Sequence, residues 1–187
     1  MNEADAAALA RFLYEAGHLK NAPRSGWLLA GVPMPESVAA HSFRVALIAA
    51  LLARMTGADP GRAALLAIVH DIPEARTTDL HKVAQRYLPS RAAALAAGRD
   101  QAESLPEPLR DLLSTALLDL TDTSSPEALL ARDADKLDCL LQAREYAACG
   151  HPTAEWVESS LAALSTDAAR SVARAAMGMD PFSWWKD

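Results

Sequence analysis

The chain has 187 residues, 51% of them apolar, enough to bury one core and close to one domain in length. A net charge of −6 without any basic tract excludes a binder of nucleic-acid polymer, because affinity for a phosphate backbone needs clustered Lys and Arg. No unbroken apolar run approaches the roughly 18 residues that cross a bilayer. The acidic start Met1-Asn2-Glu3-Ala4-Asp5 is unlike a secretory leader, so the expected location is the cytoplasm, with no membrane partner.

Abundant Ala and Leu, with few aromatic and β-branched residues, favour helix throughout, and the expected class is all-α. A first helix is expected from about Ala4 to Leu19. Residues 20–36 carry three Pro and two Gly and read as a long loop. Ser37 caps a second helix, Val38 to about Met55, in which Val38, His41, Val45, Ile48 and Leu52 share one face. Asp59-Pro60 opens a third helix that Pro73 disfavours beyond Asp71 or Ile72. Thr78 is expected to cap a short helix from Asp79 to Tyr87, and Pro89 or Ser90 to open another to about Glu103. Helical spacing runs from Glu107 to Leu120. Ser125-Pro126 starts a long helix to about Ala148, stopped by Gly150. Thr153 starts a further helix, and Thr166 or Asp167 a last one to about Met177. The tail with Phe182, Trp184 and Trp185 is expected to fold back on the body, since exposed aromatics lose their burial free energy. Cys139 and Cys149 form neither a metal-type pair nor a disulfide framework and read as buried free thiols.

The most informative pair is His70-Asp71. Neighbours on a helix point about 100° apart, so both reach one ion only near a helix terminus, and Pro73 supplies that terminus. Upstream, His41 interrupts an apolar helix face. Downstream, Asp135 lies at the margin of the stripe Leu130, Ala134, Leu137 and Leu141 and can face inward. A carboxylate turned toward a core needs a partner, and a cation would be one. Two imidazoles and two carboxylates suit one Mn²⁺, Fe²⁺, Co²⁺, Zn²⁺ or Ni²⁺ better than Ca²⁺ or Mg²⁺. Only His81 lies between His70 and Asp135 as a further histidine, which favours one ion over two. Glu74 and Asp79 are carboxylates just beyond the pair, where one could take a proton from water. Asp133 and Asp138 read as structural, solvated or paired with Arg or Lys; His81 is equally a surface residue or a phosphate contact.

Three segments together resemble the HD-domain 5′-deoxynucleotidase family. Residues 36–46, Glu-Ser-Val-Ala-Ala-His-Ser-Phe-Arg-Val-Ala, look like its first-histidine helix. Residues 70–80, His-Asp-Ile-Pro-Glu-Ala-Arg-Thr-Thr-Asp-Leu, look like its His-Asp and acidic-loop segment, and Asp133 to Tyr146 its final-aspartate helix. The likeness covers roughly residues 24–146. It implies a single HD-domain helical bundle over residues 1–187, with His41, His70, Asp71 and Asp135 as metal ligands. It implies that Glu74 orients or activates the attacking water and that Asp79 supports the reaction. The substrate implied is a nucleoside 5′-monophosphate, deoxynucleotides foremost, with Trp27 against sugar or base and Arg24, with Arg44 or Lys136, at the phosphate. The family often forms homodimers. Another phosphorylated metabolite as substrate, or a catalytically silent ligand-binding protein, are the alternatives. Two positions depart from the pattern: Thr78 stands where the family usually has Gly, and Gly26 precedes Trp27 where some members have Arg.

Overall fold

The computed structural model describes residues 1–122 and 124–186, and among them the regular structure is helical, with one isolated bridge between Pro23 and Ser37. The helices are α1 (Glu3–Gly17), α2 (Gly26–Leu29), α3 (Val38–Thr56), α4 (Pro60–Val69), α5 (Glu74–Thr77), α6 (Lys82–Gln85), α7 (Ser90–Glu103), α8 (Glu107–Thr121), α9 (Pro126–Ala148), α10 (Ala154–Ala163) and α11 (Asp167–Met177). The starts follow local chemistry. The side chains of Ser37, Asp59, Ser125 and Thr166 each accept a backbone N–H of the following first turn, at 3.1, 2.8, 3.1 and 3.3 Å. Such a cap contributes about 1 kcal/mol. Gly57 ends α3 in the left-handed conformation, the C-terminal role that glycine fills without a Cβ clash.

Helices α3, α4 and α9 form the centre, with α10 and α11 on α9 and α8 on α4. Val45, Ala49, Leu66, Ala67, Leu137 and Leu140 are fully buried between them. α3 is long and apolar enough to cross a membrane by length and composition alone. Here its inner face carries His41 and packs along both α4 and α9, the setting of a core helix.

The structure departs from the sequence reading in five places. The loop over residues 20–36 contains the single turn α2. The short helix near residue 80 is only Lys82–Gln85, and its cap is His81, whose Nδ1 accepts the Ala84 N–H at 3.2 Å, rather than Thr78. The tail tryptophans are not covered by the body: Trp184 and Trp185 are 80% and 60% exposed, while Phe182 is half-buried. Cys149 is exposed and Cys139 half-buried, so the thiols are free but not both buried. Asp133, instead of meeting a cation, accepts the Ser165 and Thr166 N–H groups at 2.8 and 2.7 Å and fixes the entry to α11.

Candidate metal centre and cleft

The His-Asp pair sits where α4 runs out. The His70 N–H still bonds the Leu66 carbonyl at 3.1 Å, completing the last turn. Pro73 cannot continue that ladder, and the chain turns at once into α5 through Ile72 N–H to Val69 O (3.2 Å) and Glu74 N–H to Asp71 O (3.0 Å). His70, Asp71 and Glu74 are thereby placed on one corner. His41 approaches from the second turn of α3, and Asp135 from the middle of α9.

These four side chains converge. His41 Nε2 lies 3.6 Å from Asp71 Oδ2 and 3.3 Å from Asp135 Oδ1, and His70 Nε2 lies 3.1 Å from Asp71 Oδ2. One ligand atom each from His41, His70 and Asp71 falls within 4.8 Å of the others, a grouping able to hold a metal ion. His41 Nε2, His70 Nε2 and Asp71 Oδ2 are all buried without a hydrogen-bond partner. Buried polar atoms left unpaired cost of order 1–3 kcal/mol each, and three such atoms aimed at one point fit a cation. The outer ring nitrogens are already committed. His70 Nδ1 donates to the Ala67 carbonyl at 2.5 Å, and His41 Nδ1 meets Asp138 Oδ2 at 2.6 Å.

The charged groups of the cluster shift one another's titration. Burial disfavours the charged His41 ring, but Asp135 and Asp138 outweigh it and lift its pKa to about 9. Burial would raise Asp71, yet His70, Arg24 and His41 keep it below the usual carboxylate range. Glu74 stands apart. Its desolvation, with repulsion from Asp71 and Asp79, pushes it up to about 9, and its Oε2 is buried and unpartnered.

A cleft of about 860 Å³ opens over the corner, lined by Asp71, Glu74, Asp79 and Asp135 together with Arg24 and Lys136. Arg24 lies 3.2 Å from Asp79 and 3.7 Å from Asp71. Lys136 Nζ lies 2.7 Å from Asp135 Oδ2. Asp79 lines the cleft with both oxygens engaged: Oδ1 by Arg24, and Oδ2 by the Ser25 N–H at 2.5 Å. Ser25 Oγ also donates to the Asp79 carbonyl at 3.0 Å. This carboxylate braces the residue 24–25 turn. Thr78, just before it, has φ 59° and ψ 162°, a backbone setting that glycine adopts freely and other residues hold at a cost of about 1–3 kcal/mol. Thr78 thus stands at a position whose backbone suits Gly.

Trp27 is only 2% exposed. Its Nε1 donates to Glu36 at 3.0 Å, and its ring packs edge-on to Tyr146 and tilted against Trp156, centroids 5.1 and 5.7 Å apart. Although Trp27 borders the cleft, most of its face is spent on this cluster. The less buried aromatic on the same wall is Trp156, from α10, which the sequence reading missed. No local signal marks it, since only the packing of α10 on α9 brings it to Trp27. Arg44, expected near the phosphate, instead points along α9 to Asp138, Gln142 and Glu145. His81 also borders the cleft, with Nδ1 used as the α6 cap.

The model of the HD domain family matches residues 16–176. The 5′-deoxynucleotidase HDDC2 of Mus musculus is 34% identical over 143 residues, 75% of this chain and 70% of that protein. The chain belongs to the HD-domain 5′-deoxynucleotidase family. The 5′-deoxynucleotidase hdd1 of Schizosaccharomyces pombe is 28% identical over 151 residues, 78% of this chain and 76% of that protein. A solved structure of a conserved hypothetical protein from Pyrococcus furiosus superposes with a TM-score of 0.78 at 33% identity, covering 91% of this chain and 99% of that one. The family match takes in every helix that carries a residue of the centre.

Proposed function

We propose that this HD domain is a metal-dependent phosphomonoesterase that releases phosphate from nucleoside 5′-monophosphates, deoxynucleotides foremost. The observation that carries the reading is the convergence of three buried, unpartnered ligand atoms beside a cleft that also holds Glu74 and Arg24. The deoxynucleotidase names of the relatives supply the substrate class.

His41, His70, Asp71 and Asp135 would hold one divalent transition ion; imidazole with carboxylate accepts Mn²⁺, Fe²⁺, Co²⁺, Ni²⁺ or Zn²⁺. When bound, the ion supplies Lewis acidity toward phosphate oxygen and water. The chain's own groups do the rest. Arg24, held by Asp79, presents its guanidinium to the phosphate, with Lys136 as a second cation. Glu74 accepts the proton of the attacking water, its high pKa falling to a working range beside a positive ion. Asp79 acts through Arg24 as a positioning residue. Trp156, backed by Trp27, offers an aromatic face to the base, which gives affinity without demanding one base.

The test is phosphate release from a panel of 5′-monophosphates by chelator-treated protein, each with Mn²⁺, Co²⁺, Mg²⁺ or Zn²⁺ added. Metal-restored turnover of deoxynucleoside monophosphates is expected. Release from a different phosphorylated metabolite alone would move the substrate class, and metal binding without any turnover would leave a silent ligand binder.

A homodimer is part of the same proposal. Phe43, Leu47, Leu51 and Met55, one α3 turn apart, are 72, 48, 57 and 82% exposed, and Ile68 of α4 is 49% exposed. Such a stripe can pack on its own copy about a two-fold axis. Light scattering should give twice the 19.9 kDa chain mass, and Leu47→Glu should return it to the single value.

A further inference from the structure

Asp138 lies one turn past Asp135 on α9, is fully buried, and belongs to neither the ligand set nor the cleft. Its two oxygens are divided. Oδ2 sits 2.6 Å from His41 Nδ1, and Oδ1 accepts Arg44 Nε–H. With Oδ1 accepting from a guanidinium, Oδ2 is left as the acceptor for the ring, so the His41 Nδ1 carries the hydrogen between them. That fixes the ring orientation and turns Nε2 to the common point with Asp71 and Asp135. Arg44 is itself fixed: its Nη1 and Nη2 donate to Glu145 at 2.6 Å and Gln142 at 3.0 Å, so one side chain from α3 grips positions 138, 142 and 145 along one face of α9. The other histidine has a weaker arrangement, since His70 Nδ1 donates to the neutral Ala67 carbonyl.

We infer that Asp138, clamped by Arg44, is a positioning residue for the metal centre: it sets the tautomer and angle of His41 and makes its Nε2 the more strongly donating of the two imidazoles. The inference rests on the metal-centre reading above. A carboxylate behind a ligating imidazole raises its basicity, and loss of such a partner typically weakens metal affinity by about 10–100-fold. Glu36, the other carboxylate beside this pair, does not substitute for it, because its Oε1 accepts from the Trp27 indole and its own pKa is raised by burial and by Asp138.

The experiment is a competition titration of chelator-stripped full-length protein with Co²⁺ against a chromophoric chelator, with circular dichroism to establish folding. Asp138→Asn keeps shape and is expected to weaken Co²⁺ binding by about 10–100-fold, with an altered visible Co²⁺ spectrum, in a folded chain. Arg44→Lys keeps a cation on a partly exposed side chain but loses the fork, and a several-fold weaker Kd is expected. A folded Asp138→Asn chain with the wild-type Kd and spectrum, whatever its melting temperature, would overturn the inference. If that variant does not fold, Arg44→Lys decides: an unchanged Kd overturns it. Failure of the wild type to bind Co²⁺ stoichiometrically is a separate result, which would remove the metal-centre reading itself.

Discussion

Asp71→Asn should abolish stoichiometric metal binding and reduce phosphate release by about a thousandfold or more. Asp71 Oδ2 lies close to both imidazoles, 3.6 Å from His41 Nε2 and 3.1 Å from His70 Nε2, and it is buried without a partner. An amide of the same shape brings no charge, and one of its two positions is a donor that would face the cation. Lewis-acid stabilisation is worth several kcal/mol, and each 1.36 kcal/mol is tenfold in rate, which sets the size of the loss. Isothermal titration with Mn²⁺ or Co²⁺ and a phosphate-release assay at saturating nucleotide check the two halves. Activity within tenfold of wild type would show that the centre is not where the reaction occurs. Uptake should also be proton-coupled. His41 has its pKa raised to about 9, so at pH 7 its ring carries the proton that a cation must displace. Affinity is therefore highest above that value, and the apparent Kd should rise about tenfold for each unit of acidification per proton released. A pH-stat titration should find at least one proton released per ion at pH 7. A Kd flat between pH 6 and 8 would contradict this account.

Most of the helical frame was legible because its signals are local. Ser37, Asp59, Ser125 and Thr166 declare helix starts by side-chain chemistry within three residues, and all four caps are present. The convergence of His41, His70, Asp71 and Asp135 was legible for a related reason. A His inside an apolar face, a His-Asp pair at a proline-terminated helix and an Asp at the edge of a buried stripe each violate the pattern around them. What escaped the sequence depends on pairings distant in the chain. Asp138 read as a structural acid, solvated or paired with Arg or Lys, and only the packing of α3 on α9 sets it between His41 and Arg44, 97 and 94 residues away. Asp79 looked like a second catalytic acid until the residue 24–25 turn closed over its oxygens. Trp27 looked like a free stacking face, and tertiary packing used that face against Tyr146 and Trp156. In each case residue type was informative and the identity of its neighbours was not.

Glu74→Gln separates binding from chemistry. Glu74 opens α5 directly after the His-Asp corner, and its side chain enters the cleft with Oε2 unpaired. Desolvation dominates its raised pKa of about 9, with Asp71 and Asp79 adding repulsion, so in the cation-free chain the carboxyl is largely neutral at pH 7. A glutamine resembles that neutral form in size and polarity, so the fold should survive. Metal Kd should change little, because Glu74 is outside the ligand set, and KM should move by less than the rate does. The expected loss is in kcat, about 10²–10⁴-fold, the usual contribution of a placed general base. The pH profile provides the sharper evidence. A bound cation lowers the Glu74 pKa, so wild-type turnover should rise with pH through that lowered value as the carboxylate forms. The Gln variant has nothing to ionise there, and its residual rate should lack that limb. If the variant keeps both the rate and the limb, another group takes the proton. Asp79 is then a weak substitute, since freeing its oxygens would release Arg24 from the phosphate side of the cleft.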